Sequence, residues 1–340
     1  MTKFYKLMFL STLFISTLIS ISSYSWMGMW IGLEINVLSI IPILIYFKNK
    51  TSSEAAIKYF FTQAVASTAI MFSIILMISQ YNFTTKFLLD WSLLIMNSSL
   101  LMKMGMAPFH FWFPEVLEGL SWMNSMLMLT WQKIAPMVLF MYNSEFLSLA
   151  VMAIMSAMII SGLMAMNQIS LRKIMAYSSI NHMGWMLSSM ILSKMIWITY
   201  FLIYTIMTIT IIVILNYSNI FYLSQLSSMW SMNNSMKLFF SMSMLSLAGV
   251  PPFIGFIPKW LTIQCLIFQQ WFIISIIMIV FTLMMIYVYM TMIMSTFMFN
   301  FTSNNWKNLI KQFKLNNYIS ILNFSMLTSF IFVTLSFNIF

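Results

Sequence analysis

Five charged side chains sit inside otherwise apolar stretches of this sequence: Glu34, Lys58, Lys103, Lys133 and Lys259. All five are groups that gain and lose protons. The chain's arginine, Arg172, belongs to the side chain that stays charged, and it falls in a predicted loop. A charge held in bilayer hydrocarbon costs about 2.5–3.5 kcal/mol on insertion scales, so keeping five implies a use for them. Desolvation disfavours an ammonium and a neighbouring carboxylate favours it. Moving one relative to the other loads or unloads a proton without any cofactor. A single interior carboxylate does not pair statically with four amines, so some of the lysines must be hydrated or neutral part of the time.

The surroundings of each group sharpen this. Lys103 lies mid-span, two residues before Gly105, and Lys259 directly follows Pro258. Lys133 is central in its span. Pro136, which has no N–H, leaves the Gln132 carbonyl beside it without its helical donor. Glu34 lies well inside the second span and Lys58 nearer one end of the third; the two are able to pair, although the span limits put them at different depths, and water is able to bridge them. His110 follows Lys103 by seven residues, about two turns along one helical face, and is placed to relay protons. His182 reads as a structural histidine bonded to a serine or a carbonyl. A haem between two facing histidines is conceivable, but the rest of such a site is absent from the sequence. Glu115 and Glu118 read as interface charges.

The elements that position these groups are membrane helices. The chain has 340 residues, 61% of them hydrophobic and 6% charged, with a mean hydropathy of +0.93. That composition excludes a soluble domain. One cysteine, Cys265, excludes an internal disulfide, a C-x-x-C motif and an iron–sulfur ligand set. No quinone, flavin or metal site is recognisable. Methionine (39 residues) exceeds what adaptable packing requires and suits an organelle genome that reads an extra codon as Met. The net charge of +10 is spread over short loops, with no basic, aromatic-studded face, and so excludes nucleic acid as a partner.

The fold class is therefore an all-α polytopic membrane protein. Apolar runs predict eleven spans near 7–24, 26–47, 55–79, 92–120, 121–142, 146–166, 174–193, 195–215, 238–270, 271–299 and 318–338. The basic start resembles a signal peptide, but the spans behind it make it the first transmembrane helix. With single crossings, one side collects Lys3, Lys6, Lys48, Lys50, Arg172, Lys173, Lys237, Lys307, Lys311 and Lys314, and the other only Lys86 and Lys194. This asymmetry fits the positive-inside rule. Residues 303–315, with Lys307, Lys311 and Lys314 at helical spacing, predict an interfacial helix. The loop 216–236 carries no catalytic pattern.

Two segments share the form G-x-x-P-F-x-x-x-x-P. One runs from Gly105 through Pro108 to Pro114, the other from Gly249 through Pro252 to Pro258, an offset of 144 residues. The host spans are the fourth and ninth, both too long for one straight crossing of about 20 residues. A shift of five helices reverses direction, so the pattern predicts an inverted repeat, an organisation common in transporters. Pro108 and Pro252 free the carbonyls of Met104 and Ala248, predicting broken helices. Unwound backbone at membrane depth persists only where it is buried or lines a wet cavity. The expected divisions are a first bundle over 1–142, an inverted second bundle over 143–299, and a connector with a last helix over 300–340.

The segments Lys103–Glu115 (KMGMAPFHFWFPE), Leu171–Trp185 (LRKIMAYSSINHMGW) and Gly249–Trp260 (GVPPFIGFIPKW) resemble the antiporter-like membrane subunits of respiratory complex I and, more distantly, Mrp-type cation/proton antiporters. The resemblance covers essentially the whole chain. It implies a membrane-arm subunit that moves protons from matrix to intermembrane space through water and a buried axis of Glu34, Lys58, Lys103, His110, Lys133 and Lys259. NADH oxidation and ubiquinone reduction, with flavin and iron–sulfur clusters, are expected in other subunits, and no cofactor on this chain. Other membrane-arm subunits are the expected partners, with phospholipids, including cardiolipin, on the basic loops and on a flank exposed by three N-terminal helices that bacterial relatives carry. The implied location is the mitochondrial inner membrane, N-terminus in the matrix and C-terminus in the intermembrane space. Two other functions fit the residues: a stand-alone cation/proton antiporter, and a scaffold subunit without transport.

Overall fold

A computed structural model of the chain describes residues 2–45, 49–80, 86–143, 147–226 and 234–297. The expected interfacial helix at 303–315 and the eleventh span lie outside them. Two compact units divide the chain, the first running to Ala157 and the second starting at Met158.

The first unit holds α1 (Thr2–Ser22), α2 (Trp26–Leu44), α3 (Lys50–Gln80), α4 (Lys86–Met104), α5 (Trp112–Gly119), α6 (Trp122–Leu129) and α7 (Ile134–Tyr142). Ser25 caps α2, its hydroxyl accepting the Gly28 N–H at 3.2 Å. α1 lies against α2 at glycine distance: a Cβ on Gly32 would stand 2.7 Å from the Ser20 nitrogen, the small-residue contact of membrane helices. α8 (Leu147–Met166) runs across the division.

The second unit continues with α9 (Leu171–Leu192), α10 (Lys194–Ser218), α11 (Asn234–Ala248), α12 (Phe256–Phe268) and α13 (Phe272–Phe297). α9 is buried on every side from Ile174 to Met190. That explains how it tolerates Ser178, Ser179, Ser188 and Ser189, whose hydroxyls bond to carbonyls three residues back. The loop after α10 folds back on the start of α9. Leu171 N–H donates to Phe221 O at 2.9 Å and Leu223 N–H to Ile169 O at 3.0 Å, with Arg172 over the Phe221 ring. Among the described residues, six helices (α1, α2, α3, α8, α10 and α13) are long and apolar enough to cross a membrane by length and composition.

The fourth predicted span separates into α4 and α5, and the ninth into α11 and α12. Gly105 (φ +70°) and Gly249 (φ +76°) end the first halves in left-handed backbone, a conformation costly for any residue with a Cβ. Met106 N–H bonds to Leu101 O and Val250 N–H to Leu245 O, the same six-to-one closure at both ends. Pro114 and Pro258 fall in the first turn of α5 and α12, where a missing N–H costs nothing. One expectation is corrected. The fifth span, predicted as a single helix over 121–142, is also interrupted, becoming α6, a 3-10 turn at Trp131–Lys133, and α7. Pro136 explains the interruption, because it leaves Gln132 without its helical donor.

Candidate functional site

In the first unit, Lys103 occupies the last turn of α4. Its side chain is 2% exposed, and its Nζ stands 3.7 Å from Glu34 Oε1 on α2. That distance makes an ion pair but not a hydrogen bond, and neither atom has a hydrogen-bond partner among the described residues. The carbonyls of this helix end are met by other side chains: Trp112 Nε1 donates to Met102 O at 3.2 Å and Gln63 Nε2 approaches Lys103 O at 3.5 Å.

Glu34 and Lys58 do not pair directly. Lys58 instead bonds Glu115 Oε2 at 3.0 Å and Glu54 Oε1 at 3.1 Å. Glu34 faces the end of α4, whereas Lys58 faces α5 and the preceding turn of its own helix. Glu115, read from the sequence as a plain interface charge, is thus a tie between α5 and α3. The helical relation between Lys103 and His110 also fails. Helix α4 stops at Met104, so the seven residues to His110 include the left-handed Gly105 and do not trace one face. His110 is buried in the link between α4 and α5, its Nδ1 3.2 Å from Pro108 O.

Lys133 closes the 3-10 turn and is 1% exposed. Its Nζ lies over the Phe113 ring, 5.4 Å from the centroid, a cation–π geometry. Phe113 belongs to the first turn of α5 and also fills the space where a Cβ on Gly105 would go. Lys133 is therefore packed against the second half of the first broken helix. The preceding residue, Gln132, joins Asn36 of α2 by two hydrogen bonds of 3.0 Å.

In the second unit, Lys259 lies in the first turn of α12 and is buried. Its Nζ donates to Ala248 O at 2.8 Å, the carbonyl that Pro252 leaves free. The ammonium sits at the carbonyl end of α11, where the helix dipole favours a cation. His182 pairs with the Tyr200 hydroxyl, Nδ1 to oxygen 3.0 Å, with Tyr204 packed beside its ring. The partner at this ring nitrogen is a phenol.

Lys103, Lys133 and Lys259 share one setting: each is a buried amine at an interruption of a helix. Such an amine can take a proton from one side and release it to another when the local backbone or a carboxylate partner shifts. Asn36, Trp112 and Gln63 were not singled out from the sequence. The available signal was a polar residue in an apolar span; what each one touches is set by tertiary structure.

The chain matches the family model described as NADH:quinone oxidoreductase/Mrp antiporter, transmembrane, over residues 23–286. It is 44% identical over 307 residues to NADH-ubiquinone oxidoreductase chain 2 of Anopheles gambiae, covering 90% of each chain. It is 43% identical over 324 residues to the protein of the same name from Locusta migratoria, covering 94% of this chain and 93% of the other. In fold it is similar to a chain of respiratory complex I from Thermus thermophilus, with a TM-score of 0.86 at 20% identity, covering 98% of this chain and 78% of that one. A chain of the Mrp complex from a Dietzia species gives a TM-score of 0.76 at 16% identity, covering 84% and 59%.

Proposed function

The chain belongs to the NADH:quinone oxidoreductase/Mrp antiporter transmembrane family, and on that footing we propose that it is a proton-translocating membrane-arm subunit of NADH:ubiquinone oxidoreductase. It is a subunit of an enzyme whose redox steps take place on other subunits, and a multi-pass protein of the mitochondrial inner membrane. Protons move from matrix to intermembrane space, with the N-terminus on the matrix side as the lysine asymmetry implies. Other membrane-arm subunits and phospholipids, cardiolipin among them, cover its apolar flanks.

The observation that carries this reading is the buried amine at each interruption: Lys103 opposite Glu34, Lys133 at the end of the 3-10 turn, and Lys259 on the Ala248 carbonyl. Within the first unit Glu34 holds the proton on Lys103, and Lys133 passes it on, with His110 in the adjoining link. Lys58 acts through Glu115 as a tie on α5. In the second unit Lys259 holds its proton against the Ala248 carbonyl, leaves that carbonyl as it releases the proton and returns on taking up another. The two glycine–proline segments act as matched hinges of an inverted repeat, supported by their shared closure geometry.

The test is proton pumping by the assembled enzyme in liposomes, with Lys103→Met or Lys259→Met. Proton pumping falls on the order of 10²-fold, the low end for loss of a proton-transfer group, while the complex still assembles. Normal pumping with normal electron transfer would make the chain a scaffold. Ion exchange by the chain reconstituted alone would make it an independent antiporter.

A further inference from the structure

We infer that Asn36 and Gln132 are positioning residues for proton transfer at Lys133, an inference that rests on the proton-transfer reading above. Asn36 Nδ2 donates to Gln132 Oε1 and Gln132 Nε2 donates to Asn36 Oδ1, both at 3.0 Å. Both residues are buried, at 4% and 9% exposure, and they are 96 positions apart in sequence. Neutral amides carry no proton in this exchange, so they act through geometry alone.

The pair sits at a break in the helical backbone. Between α6 and α7 the helical ladder is interrupted, and the 3-10 turn closes with Ile134 N–H bonding Trp131 O. Gln132 is the middle residue of that turn and Lys133 its last. Tying Gln132 to a continuous helix fixes the turn, and with it the point from which the Lys133 side chain departs toward Phe113.

The other end of the tie is equally placed. Asn36 follows Glu34 by two residues, about 200° around a helix at 3.6 residues per turn. Helix α2 therefore offers its carboxylate to Lys103 on one flank and its amide to the Lys133 turn on another. One rotational setting of α2 satisfies both contacts. α2 is a strut that sets Lys103 and Lys133 in register, and Asn36–Gln132 is the joint that holds it.

The experiment uses the assembled enzyme in liposomes and measures assembled yield, NADH oxidation and protons moved per electron. The variants are Asn36→Leu, Gln132→Leu, their double, the exchanged pair N36Q/Q132N, and Lys133→Met. Either leucine substitution lowers pumping on the order of tenfold or more, as a displaced reacting group does. The double is no worse than either single, because one joint is broken in all three. The exchanged pair keeps both amides and the summed side-chain length, and restores protons per electron. If the leucine variants do not assemble, the exchanged pair decides: assembly regained with normal pumping supports the joint. Regained assembly without regained pumping overturns it, as do leucine variants that pump normally while Lys133→Met does not. Normal pumping by Lys133→Met itself would overturn both this inference and the reading beneath it.

Discussion

Lys103 and Lys58 have the same side chain and opposite circumstances. The Lys103 side chain is 2% exposed with one carboxylate at 3.7 Å; that of Lys58 is 44% exposed with two carboxylates near 3 Å. An exposed, doubly paired ammonium adds little to stability, and two carboxylates hold it in place. Lys58→Met is therefore expected to lower the dissociation temperature of the assembled complex slightly and leave protons per electron unchanged. A loss of pumping as deep as that of Lys103→Met would return Lys58 to the transfer path. The sequence made both lysines visible as interior charges. It did not rank them, because the ranking depends on Glu115 reaching back to α3 across 57 positions.

At the scale of elements, the glycine–proline register located two interruptions to within a residue. The reason is local: a left-handed glycine and the N–H-free ring after it act on their own backbone. The third interruption, at Lys133, has a proline but no left-handed glycine, and its 3-10 turn was read as plain helix. The His110 relation failed for the converse reason, since counting turns assumes an unbroken helix. Gly249 joins backbone and chemistry. A Cβ there meets both a positive φ and the Lys259 amine, 2.9 Å from Nζ. Gly249→Ala is expected to cost about 1–2 kcal/mol in backbone strain and to displace Lys259 from Ala248. The measurable outcome is a lower dissociation temperature together with fewer protons per electron; unaltered pumping would show that the carbonyl contact is dispensable. Gly32→Leu acts on packing alone. Its side chain collides with the Ser20 backbone of α1, so assembled complex is lost, while the same substitution at exposed Met27 is tolerated.

Across the whole molecule, membrane insertion and buried titratable chemistry place opposite demands on composition, and the described residues separate them by position. Large apolar side chains such as Phe61, Val65, Ile75, Ile273 and Leu283 are exposed on the long helices. The polar side chains of α9 and the amines at the interruptions are enclosed by protein. Hydropathy and positive-charge asymmetry read from the sequence were enough for the membrane class and most helix positions. They do not reveal that α9, read as the span at 174–193, is the helix enclosed on every side. The account rests on the enclosed amines of the first unit being joined by water. The most direct test is a high-resolution electron cryo-microscopy map of the assembled enzyme, read for ordered waters between Lys103 Nζ and Lys133 Nζ. The account predicts a hydrogen-bonded file of waters linking the two, thinned or broken in Asn36→Leu. Close-packed apolar side chains between the two amines, with no water reaching either, would contradict it.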